Sequence, residues 1–157
     1  MKVLGIDPGT GRVGWAILDH QRSQDVLLEY GCFETKVKSE LPDRLEKIYN
    51  FFTDLIAHNQ IDTVSMESLF FAKNVTTAFD VGAARGVIIL ACQQAHLPIF
   101  QYTPMQVKSS LTGYGKAEKS QIQFMVTKIL HLKEIPKPDD AADAVAIALT
   151  HTFHHPK

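Results

Sequence analysis

Cysteine is scarce in this chain. Cys32 and Cys92 both lie inside apolar stretches, with no Cys/His company at metal-ligand spacing. Two such thiols make neither a disulfide framework nor a zinc pattern, and they read as reduced structural residues of a cytosolic protein. Long apolar runs are lacking too. The first stops at Asp7, too short for the apolar core of a signal peptide. None approaches the roughly 20 residues of a transmembrane helix. Repeats, low-complexity stretches and convincing linkers are missing. What remains is 157 residues, 45% hydrophobic and 21% charged. That is enough for one globular domain with a substantial core and too little for two ordinary ones.

The net charge of −1 hides a gradient. Residues 1–68 carry 7 Lys/Arg against 11 Asp/Glu, a net of −4, and residues 138–157 carry 1 against 3, a net of −2. Between them, residues 69–137 carry 8 against 3, a net of +5. Chance clustering on a solvated surface would produce this. So would a basic face beside an acidic metal site, the polarity suited to a polyanionic substrate.

The apolar runs Lys2–Asp7 and Val13–Asp19 and the mixed apolar and polar stretch Val26–Phe33 predict strands, the first two joined by the turn Pro8-Gly9-Thr10-Gly11 as an antiparallel hairpin. Leu45, Ile48, Phe52, Leu55 and Ile56 recur at helical spacing within a helix from about Leu41 to His58. A strand through Thr63–Ser68 follows, then a loop, a helix from about Thr76 to Ala95 and a short strand, Pro98–Tyr102. Pro104 opens a brief helix to Leu111. Helices over about Ala117–His131 and Asp140–His151 complete the chain. Strands gathered early and then alternating with helices predict an α/β domain with a mixed sheet.

Four carboxylates stand out against this background. Asp7 ends the apolar run Val3-Leu4-Gly5-Ile6, and Glu67 closes Thr63-Val64-Ser65-Met66. Asp140 and Asp143 lie three apart on the first turns of the apolar last helix, hence on one face. Half-buried carboxylates are costly unless paired or metal-bound. Strand ends and helix starts are where ligand groups gather in open α/β sheets. A converging set would suit Mg²⁺ or Mn²⁺ rather than zinc and the two-metal hydrolysis of a phosphodiester. Plainer readings stand beside this one: Asp7 as a turn residue, Glu67 as a solvated strand-end acid, and Asp139 or Asp140 as a helix cap.

The motifs that hold these acids resemble those of the RuvC Holliday-junction resolvases. Gly5-Ile6-Asp7-Pro8-Gly9-Thr10-Gly11 is similar to that family's first motif, and residues 66–74, Met-Glu-Ser-Leu-Phe-Phe-Ala-Lys-Asn, to its second. Gln106-Val107-Lys108 and residues 115–121 resemble its basic segment, and residues 140–146 its last motif. The likeness runs from Lys2 to about His151. It implies a single RNase H-like nuclease domain over 1–157 with a mixed five-stranded sheet flanked by helices. The implied activity is that of a Mg²⁺-dependent endonuclease, with Mn²⁺ as a substitute, making paired symmetric nicks in four-way DNA junctions during recombination and repair. Residue by residue, Asp7, Glu67, Asp140 and Asp143 would form the metal-binding catalytic set, while Asp139 falls outside it as a cap or bystander. The family also implies a homodimer, the RuvA and RuvB branch-migration proteins as partners, and a bacterial cytoplasm. A basic tail that family members often carry is expected to be missing here, the sequence stopping at Lys157.

Phe70 and Phe71 follow Glu67 in a loop with Lys73 and Asn74, and an aromatic there could wedge at the unpaired centre of a junction. By resemblance Phe70 is the stronger candidate. Lys108 and Lys119 match family positions for phosphate contact, whereas Lys116 rests on its charge alone and Arg85 is a weaker candidate. Gly82, Ala83, Ala84 and Gly86 allow close packing in the long helix, in the core or against a second copy. His151, His154 and His155 read as a solvated end. A phosphotransferase of the actin-like ATPase kind would need a second domain and phosphate loop, for which 157 residues leave no room. A non-catalytic junction-binding module of the same fold is the other rival, and the four intact acids speak against it.

Overall fold

The computed structural model describes residues 1–36, 38–68 and 75–155, and for residues 75–77 the backbone alone. Five strands and five helices follow in order: β1 (Lys2–Asp7), β2 (Arg12–His20), β3 (Asp25–Glu34), α1 (Leu41–Asn59), β4 (Thr63–Glu67), α2 (Val75–Gln94), β5 (Ile99–Tyr102), α3 (Pro104–Thr112), α4 (Lys119–Ile129) and α5 (Asp139–His154). The sheet is mixed, in the order β3-β2-β1-β4-β5. β1 runs antiparallel to β2 and parallel to β4. The expected hairpin is present. Among the described residues no helix is long and apolar enough to cross a membrane.

The pleat sorts side chains into two cores, one on each face. Leu4 and Ile6 of β1 pack with Ile48 and Phe52 of α1 and Ala84 and Ile88 of α2. Val3 of β1 packs on the opposite side, with Val145, Ile147 and Leu149 of α5, Val107 of α3 and Val126 of α4. α5 lies almost against the backbone of the central strands. A Cβ on Gly5 would collide with the Ala144 carbonyl, and one on Gly14 with the Asp140 carbonyl. Only glycine permits that approach, and it decides where the first turn of α5 sits.

Helix starts follow local chemistry in α3, where Thr103 and Gln106 form a reciprocal capping box. α5 differs from expectation. Its N-cap is Pro138, with no side-chain cap hydrogen bond, and the helix begins at Asp139. Neither Asp139 nor Asp140 is therefore a capping residue. The Asp139 carboxylate instead accepts from Gln123 Nε2 at 3.3 Å and lies 3.4 Å from Lys119 Nζ, which ties α4 to α5.

At the other end of α5, His154 and His155 are exposed as expected, whereas His151 is not. His151 is 2% exposed, with its Nδ1 2.9 Å from the Tyr102 hydroxyl. Thr152 Oγ1 donates to Asp25 at 2.9 Å, and the same carboxylate pairs with His20 Nδ1 at 2.6 Å.

Candidate acidic site at the strand ends

Alternation along the strands decides which way the strand-end acids face. Gly5 abuts α5, so Asp7, two residues on, projects from the same face. Ser65 donates to the Ile147 carbonyl of α5 at 2.7 Å, so Glu67 also faces α5. The parallel register pairs Ile6 with Met66, which sets Asp7 and Glu67 side by side at the ends of β1 and β4. Across β1 the antiparallel register pairs Asp7 with Gly14, the glycine against which the Asp140 main chain rests. Asp143 follows one turn later on α5. All four expected acids thus lie at one edge of the sheet, under the first turns of α5.

Their mutual repulsion is felt most by Asp7. Burial, then the charges of Glu67, Asp143 and Asp140, push its carboxyl up to about 7, against a smaller downward pull from Lys119. Glu67 is also raised, by burial first and Asp143 next, with Arg85 and Lys108 pulling it back. Two of the acids have cations on them. Lys119 Nζ donates to Asp143 at 2.9 Å, and Arg12 Nη1 lies 3.6 Å from Asp140 while its Nη2 pairs with Glu34. Burial works against the Lys119 charge, but its bonds to Asp143 and Asp139 carry it above the ordinary lysine range.

With the cations so placed, no three His, Cys, Asp or Glu side chains among the described residues form a ready-made ion cage. The donor set still fits a divalent cation on chemical grounds. It offers hard carboxylate oxygens with no competing thiolate or imidazole cluster, and the crowding that raises Asp7 is what a cation would relieve.

A cleft of about 260 Å³ opens beside this edge, lined by Glu67 and Asp143 and by Lys108 of α3 and Lys119 of α4. Acid and base therefore share one cleft, as the charge gradient suggested. Lys116 is exposed in the turn between α3 and α4 and does not line the cleft. Phe70, Lys73, Phe71 and Asn74 lie outside the described residues. Arg85 is 7% exposed, not a surface cation, and its Nη1 donates to the Glu67 carbonyl oxygen. The Arg12–Asp140 and Arg85–Glu67 relations were invisible in the sequence, because nothing local marks an arginine that meets an acid from another element.

Comparison with known proteins decides the family. The family described as "Crossover junction endodeoxyribonuclease RuvC" matches residues 3–151. The chain belongs to the RuvC family. A relative of that same description from Finegoldia magna is 53% identical over 153 residues, covering 98% of this chain and 93% of its own. Among solved structures, Thermus thermophilus RuvC superposes with a TM-score of 0.92 at 35% identity, covering 98% of this chain and 95% of the other. The structure of T. thermophilus RuvC in complex with Holliday junction substrate gives 0.90 at 33% identity, with 98% and 94% covered. The mixed five-stranded sheet with its five helices is the RNase H-like fold of the RuvC proteins.

Proposed function

We propose that this chain is a Holliday-junction resolvase, an endodeoxyribonuclease of recombination and repair, with the strand-end acids as its active site. The observation that carries the site assignment is the convergence of Asp7, Glu67, Asp140 and Asp143 on one edge, with Asp7 pushed to about 7 by burial and by the other three. A chain without a use for that crowding would relieve it by substitution, since buried like charges destabilise the fold. In this reading the four carboxylates hold divalent ions, Mg²⁺ or in its place Mn²⁺. The ions, when bound, supply neutralising charge and Lewis acidity at the scissile phosphodiester.

The chain's own groups do the rest. Lys108 and Lys119 line the cleft and act as point charges on DNA phosphates. Lys119, bonded here to Asp143, would be free for phosphate if that carboxylate held a cation instead. Lys116, outside the cleft, contributes to the field that attracts DNA. By resemblance to the family, Phe70 opens the junction centre and Lys73 holds backbone beside it. The protein works as a single nuclease domain in a homodimer, on a junction whose pseudo-two-fold symmetry matches paired nicks. A stripe on α2 supports the dimer: Phe79 and Leu90 are exposed, and Gly86 has open space where a side chain would be. RuvA and RuvB as partners, and the cytoplasm as location, follow from the family.

The test is nicking of a synthetic four-way junction with Mg²⁺, comparing the wild type with Asp7→Asn. Symmetric nicks by the wild type and none by the variant are expected. Equal cleavage by both would sink the assignment.

A further inference from the structure

Arginine carries five N–H donors and a charge that does not titrate in proteins, so burying one is costly unless acceptors and a counter-charge are supplied. Arg85 is nevertheless 7% exposed, on the face of α2 that also buries Ala84 and Ile88 in the core. It is not among the residues lining the acidic cleft, where Lys108 and Lys119 stand.

Its guanidinium meets the site from within. Nη1 donates to the main-chain oxygen of Glu67. That oxygen lies beyond the last β1–β4 pair, Ile6 with Met66. On the other flank, Ser68 N–H donates to the Tyr102 carbonyl at 2.8 Å. These two bonds hold the end of β4 just where the Glu67 side chain leaves the sheet. The guanidinium charge also acts on the Glu67 carboxylate, opposing Asp143.

We propose that Arg85 is a positioning residue for the nuclease reaction: buried in α2, its guanidinium fixes the Glu67 main chain, balances the Glu67 carboxylate and touches no DNA. The proposal rests on the reading of Glu67 as a site acid. It separates Arg85 from the surface lysines, whose job is to hold phosphate.

The test compares Arg85→Met, Arg85→Lys, Glu67→Gln and the Arg85→Met/Glu67→Gln double variant in the full chain. Single-turnover cleavage of a synthetic junction is measured with Mg²⁺, junction affinity in Ca²⁺ at several salt concentrations, and thermal unfolding without divalent ions. Arg85→Met is expected to slow single-turnover cleavage by about tenfold or more, with junction affinity and its salt slope unchanged. Arg85→Lys, which keeps a donor and the charge, recovers most of the rate. The drop in Tm from Arg85→Met should be smaller in the Glu67→Gln background, because the buried carboxylate no longer loses its partner. A loss of affinity that matches the loss of rate, with a shallower salt slope, overturns the proposal in favour of a phosphate contact. So does an unchanged rate in Arg85→Met while Glu67→Gln is inactive. Wild-type cleavage by Glu67→Gln would instead remove the reading of the site itself. If Arg85→Met does not fold, Arg85→Gln, which retains an N–H donor without the charge, is read by the same criteria.

Discussion

The two ends of α5 handle buried polarity in opposite ways. At its C-terminal end most polar groups find partners within the protein: Tyr102 meets His151 at 2.9 Å, and Asp25 takes both Thr152 and His20, leaving His20 Nε2 as the one open atom of the set. At the N-terminal end Asp140 and Asp143 join Asp7 and Glu67, and burial, then the charges of the other three acids, raise Asp7 to about 7 against a smaller pull from Lys119. One end is answered mostly by neighbouring polar side chains; the other gathers four acids around two cations. A single helix, pressed onto the sheet at Gly5 and Gly14, fixes both. Polar groups paired within the protein serve its structure, whereas acids crowded together with raised pKa values are candidates for function.

The sharpest break in that comparison is Asp7→Asn. Cleavage should fall by at least about 100-fold, while Tm without divalent ions at pH 8 should rise. The sign follows from the raised value. Asp7 favours the folded state fully below its unfolded value of 3.8, and that contribution is lost as pH rises through about 7. Removing the charge should restore on the order of 1–2 kcal/mol at pH 8, allowing for water reaching this half-buried group, and almost nothing at pH 4. Tm measured across pH for both proteins checks this, and a variant that melts lower than wild type at pH 8 would contradict it.

Gly14→Ala attacks the placement of the helix rather than its charges. The added methyl meets the Asp140 carbonyl, so we expect a loss of about 2–3 kcal/mol together with reduced cleavage, read by denaturant unfolding and the nicking assay. At the C-terminal end of α5, burial and then the neighbouring His155, His20 and His154 lower His151 to about 4. Its unfolded value is 6.5, so the folded state loses stability as pH falls from 6.5 towards 4, by about 2–3 kcal/mol, and none above. Tyr102→Phe removes a single hydrogen bond there and should cost about 1 kcal/mol, with no change in cleavage. The smallest effect belongs to Lys119→Ala, which should lower the salt slope of junction binding by about one at every sequence. Sequence-selective loss would point to base reading instead.

Much of this was legible in advance. Apolar runs and the hairpin turn marked the first strands, and Leu45, Ile48, Phe52 and Ile56 marked α1. The acids were conspicuous because each ended or interrupted an apolar run. Of the three C-terminal histidines, His154 and His155 are exposed as expected, and only His151 departs from the solvated end, buried through contacts with Tyr102 and Phe100. Asp139 was misread as a cap because Asp after Pro is a common cap, whereas here the helix starts one residue sooner.

Sequence alone therefore determined the strands and helices, the identity of the four acids and the motif order that marks a RuvC protein, since these depend on local pattern. Tertiary structure decided which charge answers which: Lys119 on Asp143, Arg12 on Asp140, Arg85 behind Glu67, and Asp7 left short of partners. Those relations arise from the register of β1 with β2 and β4 and from the close seat of α5 on Gly5 and Gly14. Electrostatic energy depends on distances of a few ångströms between residues far apart in the chain, and only the folded packing sets them.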